Sequence, residues 1–250
     1  MKSRRQLPCI LAIEFYLIVC GVSIAYSVMR AHGHFLYPLD DTYISMDIAK
    51  NLAQHAVMGL TRYGFSFSSS CPLWIWLIAL VDAVTGSAWW TPLLLGLTAG
   101  LAVVLLAYRI LERNHAASTA GLLALIVLAP LPAMALSGME HALHIALVLW
   151  FVSGACEWVA DDSQHRGFAA LAAVVPFLVM TRYESLFLAG IFALLLAARR
   201  KWLHAAAILF LAVAPVVLLG MFAVSKGWEW LPNSLLLKGN VPDLSLWLEC

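Results

Sequence analysis

Two adjacent carboxylates, Asp40 and Asp41, stand at the head of the stretch TYISMDIAKNLAQHAV (42–57). An ionised carboxylate only accepts hydrogen bonds, and one held at a water–lipid boundary can take the proton of an acceptor hydroxyl while a lipid-linked donor reaches up from the bilayer. Neighbouring carboxylates repel, which tends to raise the pKa of one of them. Helix capping accounts for one such side chain at a helix start, because a cap needs one oxygen. It does not account for the pair. Three further polar groups follow along the chain: Glu140, His141 and His144; Arg182, Tyr183 and Glu184; and Lys226, Glu229, Asn233 and Lys238. Each residue alone reads as an ordinary interfacial charge beside an apolar run. As a set they put both signs beside the same face, which is the raw material of a polar site at a membrane surface.

The elements that must position them are apolar. Hydrophobic residues make up 63% of the 250 residues and charged ones 12%. Soluble domains carry about twice that share of charge, so most of this surface faces something other than water. A net charge of +1 offers nothing to nucleic acid. Long apolar runs occupy 7–29, 90–108, 118–136, 140–158, 167–180, 185–198 and 203–224. A run of about 19 residues makes a helix of roughly 28 Å, close to the hydrocarbon thickness of a bilayer. The first run is longer than a signal-peptide core and no small-residue cleavage site follows it, so it reads as a retained span. The sequence therefore predicts an all-α polytopic bundle, with 1–250 as a single transmembrane domain of about seven spans.

Segment 72–84 (PLWIWLIALVDAV) decides the topology. If it crossed, Arg109, Arg113, Arg166 and the cluster Arg199, Arg200, Lys201 would face outward. The positive-inside rule puts them with Lys2, Arg4 and Arg5 on the cytoplasmic side, so the segment is expected to be re-entrant or interfacial. That leaves 30–89 as one extracytoplasmic loop, 137–139 and 181–184 as short outer turns, and 225–250 as the start of another outer loop. Within 30–89, Ile44, Ile48, Leu52 and Ala56 recur at four-residue steps. They predict an amphipathic helix over 42–57 lying in the membrane surface. The five cysteines show no metal-ligand spacing and no disulfide is expected.

These residues resemble a family. The string LDDTYISMDIAKNLAQHAVMGLTRYGFSFSSSCPLWIWLIAL is similar to the first outer loop of membrane glycosyltransferases of the GT-C fold. The likeness is to the branch of bacterial arabinofuranosyltransferases and protein mannosyltransferase-like enzymes. LSGMEHALHIALVLW (136–150), TRYESLFLAGIFALLLAARR (181–200) and LPNSLLLKGN (231–240) follow in the family's order, and the resemblance covers 36–240. It implies an inverting transferase in a bacterial inner membrane, with a cytoplasmic N-terminus. Its donor is a sugar on a polyprenyl phosphate, and its acceptor is a glycan, lipid or protein hydroxyl. By the resemblance, the catalytic base is Asp41 or Asp40, with Asp41 favoured as nearer the helix start. Arg182 and Lys238 are the residues for the donor phosphate, and Glu140, His144, Glu184 and Asn233 position substrate. No cofactor is assigned, and a divalent ion between Glu140 and His144 is left open. Many relatives carry Arg-Pro-Asp where this chain has Arg182-Tyr183-Glu184. They also continue with more helices, so a chain stopping at Cys250 is expected to be an N-terminal portion or a minimal relative. Two other classes stand beside the transferase: a transporter or flippase of lipid-linked sugars, and a non-catalytic or truncated membrane subunit.

Overall fold

A computed structural model describes residues 2–86, 88–113, 118–160 and 165–239. Among them the regular structure is helical, apart from an isolated bridge between Thr61 and Gly64. The helices are α1 (Lys2–Arg30), α2 (Asp40–His55), α3 (Pro72–Thr85), α4 (Thr91–Arg113), α5 (Thr119–Leu128), α6 (Leu131–Leu136), α7 (His141–Ala160), α8 (His165–Thr181), α9 (Ser185–Ala198), α10 (Trp202–Ser225) and α11 (Asn233–Gly239). Among the described residues, four helical stretches are long and apolar enough to cross a membrane: Gln6–Arg30, Thr91–Arg113, His141–Ala160 and Trp202–Ser225. Helices suit that setting because every backbone N–H finds its carbonyl within the segment. Their outward faces are apolar too. Leu203 exposes 86% of its surface and Phe187 76%, which water would penalise and lipid does not.

The bundle has two distinguishable ends. At one end α4, α7, α9 and α10 meet: Arg113 pairs with Glu157, Arg199 Nη1 donates to the Val159 carbonyl at 2.7 Å, and Lys201 Nζ lies 4.1 Å from the Trp158 ring centre. At the other end the segment after α1 folds back over the starts of α4 and α7. The Tyr37 hydroxyl donates to Trp89 O at 2.6 Å and accepts from Leu93 N–H at 3.0 Å. One core forms around Tyr16, Val104, Leu122 and Leu131, from α1, α4, α5 and α6. A second forms around Phe151, Leu178, Phe192 and Ile208, from α7 to α10. Tyr183, between Arg182 and Glu184, belongs to that second core.

Three expectations are corrected. The run 118–136 is two helices, α5 and α6, parted at Ala129–Pro130. Proline has no N–H to donate and its ring crowds the preceding turn, so Pro130 and Pro132 end one helix and begin the next. The amphipathic helix starts two residues earlier than expected, at Asp40, so both aspartates lie inside its first turn and Leu39 occupies the cap position with no side-chain cap bond. Its buried stripe is Thr42, Ser45, Ile48 and Ala49, while Ile44 is 40% exposed. The stripe is rotated because α2 packs on α3, through Ile48 and Ala49 against Trp74, Ile75 and Ile78. Packing on α3 sets which face is buried.

Helix α3 has 14 residues, roughly 21 Å of length and short of a hydrocarbon core. Its Asp82, which in the sequence looks like a charge ending the segment, is only 5% exposed. It accepts a 2.7 Å bond from Thr91 Oγ1 and so ties α3 to the start of α4. Gly96 lets α4 meet α6 backbone to backbone: a Cβ there would lie 2.1 Å from the Ala135 carbonyl oxygen.

Candidate functional site

The site is assembled around the turn between α6 and α7. Gly138 takes φ +75°, a conformation an L side chain resists, and a Cβ there would meet Thr42 Cγ2 at 2.5 Å and the Tyr37 ring at 2.6 Å. With that space open, α2 and α3 both bond the turn. Thr42 Oγ1 donates to Ser137 O at 2.7 Å, and Trp74 Nε1 donates to Gly138 O at 3.0 Å. These two bonds bring the head of α2, with Asp41, to the head of α7, with Glu140. The Glu140 carbonyl accepts the His144 N–H at 2.9 Å, so Glu140 opens the helix and its side chain turns inward, 5% exposed.

Arg182 arrives from the turn between α8 and α9. Its Nη1 donates to Glu140 Oε1 at 3.0 Å and its Nη2 to Glu184 Oε1 at 3.2 Å. Nη1 also lies 3.4 Å from His141 Nε2. A guanidinium has no acceptor, so in any hydrogen bond between the two the ring nitrogen is the acceptor. Partial burial raises the Glu184 carboxyl, but bonds from its own N–H and from Arg182 outweigh this and hold it below its ordinary value. Burial likewise works against the Arg182 charge, and the two carboxylates restore and exceed it. Cys71, at the start of α3, is buried, and desolvation with the nearby Glu140 charge pushes its thiol up to about 12. It is a neutral wall group rather than a thiolate nucleophile.

Asp41, Glu140, His141 and Arg182 line one cavity of about 360 Å³, together with Ser68, Ser69, Ser70, Cys71 and Ser234. That volume lies at the small end of ordinary ligand clefts. A second cavity of about 300 Å³ is bounded by Met134, His141, His144, Ile145 and Arg182. Arg182 and His141 thus form the wall between the two. The first cavity carries carboxylates; the lining of the second carries none.

The expected site residues distribute unevenly. Asp41, Glu140 and Arg182 meet in the first cavity, from three segments distant in sequence. Asp40 is exposed and outside that lining, its Oδ1 accepting the Asp41 N–H at 3.1 Å. His144 faces the second cavity, and Glu184 grips Arg182 from the exposed side. Asn233 contributes its backbone N–H to Phe67 O at 2.9 Å, which ties α11 to the loop before α3 and seats Ser234 in the lining. The Lys238 side chain lies outside the described residues. The sequence alone assigns no role to His141, the serines at 68–70, Cys71 or Ser234. The run SFSSSC (66–71), a polar patch directly before an apolar helix, is the signal that could have found most of them. Among the described residues no group of three His, Cys, Asp or Glu side chains is placed to hold a metal ion. Comparison with protein families, curated proteins and solved structures finds no match for this chain.

Proposed function

We propose that this chain is a membrane glycosyltransferase of the GT-C type, moving a sugar from a polyprenyl-phosphate donor to an acceptor hydroxyl on the extracytoplasmic face. The observation that carries the reading is the cavity shared by Asp41, Glu140 and Arg182. It puts two carboxylates and a cation within one polar chamber at one end of an apolar bundle. In this reading α5 with α6, α8 and α9 add three crossings to the four long helices, making seven spans. The N-terminus and the basic end lie in the cytoplasm of a bacterial inner membrane.

Asp41 is the general base. Its carboxylate takes the proton of the acceptor hydroxyl, the oxygen forms a bond to the anomeric carbon from the face opposite the donor's phosphate, and the bond from that carbon to the phosphate oxygen breaks. The electron pair leaves with the polyprenyl phosphate, which departs as an anion. Arg182 neutralises it in the carboxylate-free cavity that His141 and His144 also line, with Met134 and Ile145 on the lipid side; guanidinium groups suit such oxyanions. Proteoliposomes holding the full chain and a polyprenyl-phosphate sugar test this. Asp41→Asn is expected to slow transfer by about 10²–10⁴-fold, the usual worth of a general base. Undiminished transfer in both Asp41→Asn and Asp40→Asn would end the reading.

One observation favours a second reading, a flippase of lipid-linked sugars. The interrupted helix α5–α6 borders an apolar groove of about 510 Å³ against α1. Broken helices at a lateral opening are common in transporters. Movement of lipid-linked sugar between leaflets, with no glycosyl product, would select it.

A further inference from the structure

Glu140 is the buried acid of the site, with 5% of its side chain exposed. Its Oε1 is taken by Arg182, while its Oε2 is buried and, among the described residues, meets no hydrogen-bond partner. Ser234 Oγ, on the same cavity wall but 94 residues further along the chain, is also buried and without a partner among the described residues. A buried polar atom without a partner is unfavourable, so whatever fills the cavity must supply its bonds. A carboxylate oxygen accepts only, and a serine hydroxyl accepts and donates. Their occupant therefore brings at least one donor and further groups able to bond a hydroxyl.

The charge of the wall narrows the class. Asp41 and Glu140 face the cavity with Arg182, and Arg182 is already shared with Glu184. An anion placed here would meet more carboxylate than cation. A metal ion would lack a third ligand among the described residues. A neutral ligand bearing several hydroxyls meets every condition: it donates to Glu140, exchanges bonds with Ser68, Ser69 and Ser234, and leaves the Glu140–Arg182 pair intact.

We infer that Glu140 Oε2 anchors a hydroxyl of a neutral, polyhydroxylated group, a sugar ring, and that Arg182 is a positioning residue holding Glu140 in that orientation. The assignment rests on the transferase reading in one respect only: the bound ring is the acceptor's. The donor's phosphate then lies on the far side of the Arg182–His141 wall, in the carboxylate-free cavity.

Saturation-transfer NMR on the full chain in lipid nanodiscs tests this, with methyl α-D-mannopyranoside and methyl α-D-arabinofuranoside as probes. At least one glycoside is expected to bind through its ring protons. Glu140→Gln puts an amide donor where the accepting oxygen was, and is expected to weaken binding about tenfold or more, the worth of a hydrogen bond to a charged group. Arg182→Lys keeps the charge but cannot hold two carboxylates in a planar fork, and should weaken the glycoside as well. Ser234→Ala, a milder change, keeps the test open should Glu140→Gln not fold, and is expected to weaken binding by about two- to fivefold. Glycoside binding equal in wild type, Glu140→Gln and Ser234→Ala would overturn the inference. So would inorganic phosphate or Mg²⁺ displacing the glycoside at lower concentration than the glycoside itself requires. Asp41→Asn separates the two readings. Asp41-dependent transfer without Glu140-dependent glycoside binding sinks this assignment alone. Glu140-dependent binding without any transfer sinks the transferase reading and leaves the site.

Discussion

Removing Arg182 leaves a buried carboxylate with nothing to balance it. Glu140 is 5% exposed on its side chain and Arg182 31%, so water screens little of their pairing. Breaking one partner of such a pair is strongly destabilising, by about 3–5 kcal/mol, because the remaining charge stays desolvated. Arg182→Gln is expected to show that loss in denaturant unfolding of the detergent-solubilised protein, and Glu140→Gln a smaller one. Equal stability of Arg182→Gln and wild type would mean that the pair contributes nothing. At this scale the sequence was partly legible. Asp40 and Asp41 are adjacent, so their kinship shows directly in the chain. Arg182 and Glu140 are 42 residues apart, and nothing local distinguishes a buried Glu140 from an interfacial one. Their pairing exists only once α7 and α8 lie side by side.

Among the elements, the close approach of α4 to α6 depends on one missing methyl group. Gly96→Ala would drive a Cβ into the Ala135 carbonyl, a backbone atom that cannot swing aside. Forced overpacking of this kind costs about 1–3 kcal/mol, and here it would also shift the short helix that precedes the site turn. Gly190, in α9, has nothing within 4 Å of where an added methyl would sit and serves as the control. Gly190→Ala is expected to be neutral or to stabilise by up to about 1 kcal/mol through helix propensity. Thermal unfolding of the two variants should therefore move in opposite directions or differ clearly; identical shifts would contradict the contact. Element existence was legible from apolar runs, and element partners were not. The spacing of Ile44, Ile48, Leu52 and Ala56 marked a helix, but which face is buried was decided by α3. Pro130 and Pro132 part α5 from α6 inside the run 118–136, a break that hydropathy alone passes over.

For the whole molecule, the contacts separate a basic end from the end carrying the site. Arg199 bonds Val159 and Arg113 pairs with Glu157 at the first; Thr42 bonds Ser137 and Asn233 bonds Phe67 at the second. Single cysteines at exposed positions, Arg62→Cys and Glu229→Cys, should react with a membrane-impermeant maleimide from the same side of sealed vesicles. Arg200→Cys should react only from the other. Labelling of Arg62→Cys and Glu229→Cys from opposite sides would contradict the shared end. The seven apolar runs were plain in the sequence because lipid demands them. Their lengths were less plain: α8 has 17 residues and α9 14, so roughly 26 Å and 21 Å of helix, and only packing against α7 and α10 defines where they stop.

The guanidinium that divides the two chambers has one consequence for equilibria. Arg182 and His141 are boundary to both, so an occupant that moves either side chain on its own side changes the shape and charge met on the other. Affinities in the two chambers are then coupled, and linkage requires the effect to be reciprocal. Whatever factor the first ligand imposes on the second, the second returns to the first.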